Sequence, residues 1–267
     1  MIRPSIISLL SVLCTTLLFG ACDVRRDDAA AIAPSTDADL GYVTPPSVTS
    51  VARAGSVLNL EGRASPTARV RLANPGGQAM EASADKDGQW RMTLEQKSEA
   101  AIYGLSQRVG GRTLQAEGYV LVTPAGQAVL LRAGAGALSI GTAPRVGLTA
   151  IDVDRDGGAV VSGRTTVGGF VGARIDGRPV GDGKADAAGR FSLSLTGPLA
   201  PGRHGLKVVG DGLNQVLSID ATPAAPLRDG PFRAKLDLAG LRVDWMTPGG
   251  GVQTTLILTQ APEAAAP

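Results

Sequence analysis

The chain of 267 residues is poor in the groups that most binding and catalytic chemistry uses. It has two cysteines, one histidine, and aromatic residues that make up only 3% of its length. Cys14 lies inside an apolar N-terminal stretch and Cys22 just beyond it, so no pair is left to staple the body of the chain, and the fold must rest on buried apolar surface. The single histidine, His204, stands in a Gly/Pro loop and cannot by itself assemble a zinc site or an acyl-transfer triad, both of which need several such groups converging. An excess of one charge is also missing. Lysine and arginine total 26 against 24 acidic residues, and no basic run offers to neutralise consecutive phosphates, which excludes nucleic acid as a partner. The few aromatics limit stacking platforms for sugars, and Trp245 and Tyr119 are the candidate ligand contacts. Paired carboxylates are the one hydrolytic device that composition leaves open, yet Asp85, Asp87 and Asp186 fall at expected turns, where aspartate has a local structural reason to be. The reading is therefore of a chain that is not an enzyme.

What is present begins at the N-terminus. Arg3 is followed by an apolar run from Ser5 to Leu18, shorter than the roughly 20 apolar residues that span a bilayer. Leu18-Phe19-Gly20-Ala21-Cys22 then resembles the lipobox of bacterial lipoproteins, with Phe19 where that family more often has leucine. The resemblance implies removal of residues 1–21 as a signal peptide and acylation of Cys22. Asp23 resembles the residue that retains some lipoproteins in the inner membrane. An ordinary secretory signal ending near Ala21 is the alternative. The expected location is the bacterial cell envelope, on the inner or outer membrane and facing the periplasm, with the membrane engaged through the N-terminal lipid. Residues 22–42, rich in Ala, Pro and Asp, carry too little apolar content to fold and read as a flexible tether, and residues 261–267 read as a disordered tail.

Thirty-six glycines and 17 prolines, spread between leucine-rich and β-branched runs, predict many short strands and tight turns. Gly62, Asp85, Gly88, Trp90, Leu94, Gly104 and Leu105 recur 101 positions later as Gly163, Asp186, Gly189, Phe191, Leu195, Gly205 and Leu206. A repeat of that length suits a whole sandwich of about 100 residues and exceeds a solenoid or propeller unit. Trp90, Met92 and Leu94 alternate with Gln89, Arg91 and Thr93, as Phe191, Leu193 and Leu195 do with Ser192 and Ser194, which is the pattern of half-buried strands. The stretches from Ser47 to Leu105 and from Leu148 to Ile219 are similar to the bacterial Ig-like domains of envelope and surface proteins, most clearly through Asp186-Ala187-Ala188-Gly189-Arg190-Phe191 and Pro201-Gly202-Arg203-His204-Gly205-Leu206. The resemblance implies spacers or interaction surfaces, and no peptidoglycan-binding LysM segment accompanies them.

The expected fold is all-β, with two tandem immunoglobulin-like β-sandwiches at 43–143 and 144–225. A C-terminal β-hairpin or meander follows at 226–260 and either completes the second sandwich or packs on the domain junction. Thr123-Pro124 with Gly126 and Thr247-Pro248 with Gly250 form a weaker likeness out of register with the main repeat. Asp152, Asp154 and Asp156 with Gly157 open like a calcium loop, but the position that should carry a bidentate Glu is Gly163, and an ordinary turn is the competing reading. Beyond that candidate calcium site no cofactor is expected. The functional expectation is a lipid-anchored, non-enzymatic structural or protein-interaction module whose partners are other envelope proteins. The alternative is a glycan-binding module for peptidoglycan or an exported polysaccharide.

Overall fold

The computed structural model describes residues 43–141, 146–237 and 239–258, and every strand it assigns lies in one compact unit. The expected signal peptide, the Cys22 acylation site, the tether at 22–42 and the tail at 261–267 lie outside the described residues.

The first repeat comprises β1 (Ser47–Ala54), β2 (Val57–Arg63), β3 (Arg69–Ala73), β4 (Ala79–Ser83), β5 (Gln89–Glu95), β6 (Ala101–Val109) and β7 (Arg112–Val122). The second comprises β10 (Gly147–Val153), β11 (Ala159–Arg164), β12 (Phe170–Ile175), β13 (Arg178–Lys184), β14 (Arg190–Ser194), β15 (Arg203–Gly210) and β16 (Leu213–Asp220). Their strand orders correspond: β1-β2-β5 faces β4-β3-β6-β7, and β11 with its neighbours β10 and β14 faces β13-β12-β15-β16. All pairings are antiparallel, and β1 and β10 carry a bulge at the same place, after Val48 and after Leu148. These are tandem Ig-like sandwiches.

Two additions distinguish the molecule from a plain pair. β8 (Ala128–Leu131) and β9 (Leu138–Ile140) extend the β7 edge, giving a six-stranded sheet β4-β3-β6-β7-β8-β9. The C-terminal segment forms β17 (Phe232–Asp237), β18 (Gly240–Met246) and β19 (Val252–Leu258), and β19 pairs with β10 from Ala150↔Ile257 to Val153↔Thr254. The sheet order becomes β14-β11-β10-β19-β18-β17, so the meander is part of the second sandwich.

The meander also packs on the junction, which joins both alternatives left open by its sequence. Four sheets stack with three apolar layers between them. Leu58, Leu60, Leu72, Trp90 and Leu105 fill the first sandwich, and Ile151, Val161, Phe191, Leu206 and Val208 fill the second. A third core joins the two inner sheets: Ile102, Leu121, Val129 and Leu131 from the first sandwich meet Ala150, Leu241, Val243, Trp245 and Ile257 from the second. Strand periodicity of two explains how one strand serves two cores. On β6, Tyr103 and Leu105 point into the first sandwich while Ile102 points into the junction; on β7, Val120 and Val122 oppose Leu121. β10 lies centrally between covered faces, and all its residues are buried.

Turn chemistry accounts for much of the repeat. In the β4–β5 turn the Asp85 N–H donates to the Gln89 carbonyl, the Gly88 N–H returns to the Asp85 carbonyl, and Asp85 Oδ1 accepts the Asp87 and Gln89 N–H groups at 2.9 and 2.8 Å. This is a three-residue turn closed by a glycine with positive φ, here +76° at Gly88, and it carries the chain from one sheet to the other. Asp186 builds the same frame with Gly189, Asp154 with Gly157, Asn74 with Gly77, Thr123 with Gly126 and Thr247 with Gly250. The Thr-Pro likeness in the two tails is thus one type of turn used to join β7 to β8 and β18 to β19. Gly62 and Gly163 recur for a different reason. A Cβ at Gly62 would drive into the Ser47 carbonyl and the Trp90 indole, and one at Gly163 into the Gly147 carbonyl and the Phe191 ring.

Candidate functional site

One cluster of the buried polar groups among the described residues lies at the junction between the sandwiches. Asp152 points from β10 away from the second core toward the first sandwich, where its residue is 2% exposed. Its Oδ1 accepts from Gln253 Nε2 at 2.9 Å and Thr255 Oγ1 at 2.5 Å, and its Oδ2 accepts the Ala137 N–H at 2.7 Å. Thr255 in turn accepts from Trp245 Nε1 at 3.0 Å, while Gln253 Oε1 accepts the Gly134 N–H at 3.1 Å and its Nε2 reaches the Arg132 carbonyl at 3.4 Å. Burial pushes the Asp152 carboxyl above its ordinary value, and the Thr255, Ala137 and Gln253 donors pull against that shift. The network ties the β8–β9 loop of the first sandwich to β10 and β19 of the second. It holds position and supplies no nucleophile or base with open access.

Beside it lies a cleft of about 420 Å³, between the β6–β7 face of the first sandwich and the β18–β19 turn of the second. Tyr103, Tyr119, Pro75, Pro231, Met246 and Pro248 contribute most of its character, and no charged side chain lines it among the described residues. Tyr119 meets Trp245 edge to face, with ring centroids 5.9 Å apart at 87°. Trp245 itself is 0% exposed. As a ligand platform, Trp245 is therefore corrected to a core residue, its ring held by Tyr119 and its N–H by Thr255, whereas half-buried Tyr119 does line the cleft.

No family model matches the chain, and none of the curated proteins does. Several solved structures are similar to it, among them the following two. One is a biofilm associated protein, BSP domain, with 17% identity over 69% of this chain and a TM-score of 0.24; the chain spans 30% of that protein's length. The other is the central fibronectin-III array of RIM-binding protein, with 12% identity over 80% of this chain and 89% of that one and a TM-score of 0.26.

The structure does not bring Asp152, Asp154 and Asp156 together. Asp152 is taken up at the junction, Asp154 Oδ1 caps its own turn through the Asp156 and Gly158 N–H groups at 2.9 and 2.8 Å, and Asp156 is exposed. Among the described residues no three His, Cys, Asp or Glu side chains gather as a metal ion would need. His204 is paired, with Nδ1 at 2.8 Å from Asp176 Oδ2 and Nε2 at 2.8 Å from the Ala200 carbonyl. Sequence reasoning missed Gln253 and Thr255. Their only signal was polar residues inside the apolar run of β19, which a strand exposed on one face would also show.

Proposed function

We propose that the chain is a lipid-anchored, non-enzymatic module of the bacterial cell envelope, acting as a rigid structural or protein-interaction element. The observation that supports this reading is the third core. Tandem Ig-like sandwiches joined by a linker alone would move independently, whereas here Trp245, Val243, Leu121 and Leu131 weld the two inner sheets. A stiff body of that kind holds the surfaces of its two sandwiches in a fixed orientation to one another. The uncharged cleft at the weld suits an apolar segment of a protein partner.

Crosslinking in cells followed by mass spectrometry tests the interaction reading, with a photoreactive residue placed at Met246. Recovery of a defined envelope protein supports it; co-sedimentation of the purified chain with cell-wall sacculi, without such a partner, favours glycan binding instead. Labelling with an acyl-chain analogue tests the anchor: the label should be incorporated by the full chain and lost in Cys22→Ala.

A further inference from the structure

The only histidine of the chain closes one end of the second sandwich. His204 is the second residue of β15, and its side chain is 16% exposed. Its two ring nitrogens face two different elements, Asp176 in the β12–β13 turn and Ala200 in the 196–202 loop. Asp176 is itself fixed. It sits at φ +50°, donates its N–H to the Gly205 carbonyl, and accepts the Gly205 N–H on Oδ1 at 2.8 Å. Both oxygens that meet the ring are acceptors, since a carbonyl and a carboxylate have no proton to give. Each ring nitrogen must therefore carry a hydrogen, and only the imidazolium has two.

We propose that His204 is a pH-operated clamp, which as imidazolium pins Ala200 of the 196–202 loop to the β12–β13 turn and on losing its proton to solvent frees that corner of the loop. Deprotonation leaves a single N–H. The carboxylate, as the charged acceptor, retains it, so Nε2 then turns a lone pair toward the Ala200 oxygen and that contact opens. The rest of the loop keeps its own holds, since the Leu199, Thr196 and Ala221 N–H groups donate to the Gly157, Val180 and Gly202 carbonyls and Leu199 is buried in the second core, so the movement is local and reaches Gly157 through Leu199.

The charged groups around the clamp come from three sides. The β12–β13 hairpin brings Arg174, Asp176 and Arg178, with Arg174 Nη1 donating to the Gly177 carbonyl at 2.9 Å and Lys207 of β15 opposite it; the β10–β11 turn brings Asp154, Arg155 and Asp156, and Arg203 and Asp220 lie opposite each other on β15 and β16. The 196–202 loop has no titratable side chain. Asp176 alone among these bonds the ring. Its hydrogen bond, then that of Ala200, raises His204 above the ordinary 6.5, with burial acting in the opposite direction. The His204 ring and the Gly205 N–H hold Asp176 below the ordinary 3.8.

With one histidine in the chain, ¹⁵N-histidine labelling of the full protein gives a single ring to follow. Both nitrogens should show imidazolium shifts well below pH 6.5, the midpoint should lie above 6.5, and the Leu199, Ala200 and Gly157 amides should move with the same midpoint. In Asp176→Asn, which tolerates the positive φ, the midpoint should fall to the ordinary value or below and the loop amides should move with it. A wild-type midpoint at or below 6.5, loop amides that ignore the ring, or a midpoint unmoved in Asp176→Asn would each overturn the proposal.

Discussion

At the scale of single residues, the junction is where substitution should cost most. Trp245 fills the third core with no exposed surface, so Trp245→Ala should destabilise the protein by about 3–5 kcal/mol, read as a lower urea midpoint. Asp152→Asn makes a finer test. Every group that meets this carboxylate is a donor, and the Ala137 N–H on one oxygen and Gln253 Nε2 on the other have no lone pair to offer, so in either orientation the new amide NH₂ would face a donor. A loss of about 1–3 kcal/mol should follow although the volume is unchanged. The His204–Asp176 pair predicts a pH window. His204 is raised, so its contribution is complete below 6.5 and is lost as pH climbs through the folded value; Asp176 is lowered, so its contribution is complete above 3.8 and is lost as pH falls through its folded value. Comparing melting temperatures of wild type and Asp176→Asn across pH should show the largest gap between those limits.

At the scale of elements, the glycines separate into two kinds with different expected costs. Gly55 has φ +62° and open space where a methyl group would go, so Gly55→Ala should cost only about 1 kcal/mol for the strained backbone. Gly62 has no such φ, but a methyl there meets both the Ser47 carbonyl and the Trp90 ring, so Gly62→Ala should cost about 1–3 kcal/mol or more by overpacking. Chemical denaturation of the two variants side by side checks the order. The repeat was legible because such positions recur: Gly62 with Trp90 and Gly163 with Phe191 are the same contact, and Asp85 and Asp186 the same turn. Alternation also placed β5 and β14 correctly on half-buried sheets. It could not place β10 and β19, because a strand covered on both faces has no polar side to alternate with, and the pairing of Ala150 with Ile257 joins residues far apart in sequence. The same blindness hid the polar network. Asp152 reads as a turn carboxylate beside Asp154 and Asp156, and only the approach of Gln253 and Thr255 from β19 shows what it holds.

At the scale of the whole molecule, the central claim is that the third core turns two repeats into one body. Each repeat closes its own sandwich, so a duplicated chain could behave as two beads, with the C-terminal meander as an ornament. The stack argues otherwise, because β19 completes the β10 edge with one face on the second core and the other on the junction. Unfolding either sandwich would strip apolar cover from the sheet of its neighbour, and the two should melt together. Differential scanning calorimetry of the full chain is the most direct test. One transition with calorimetric and van't Hoff enthalpies in agreement is the predicted result, and two separate transitions, or one whose enthalpy ratio betrays independent units, would contradict it.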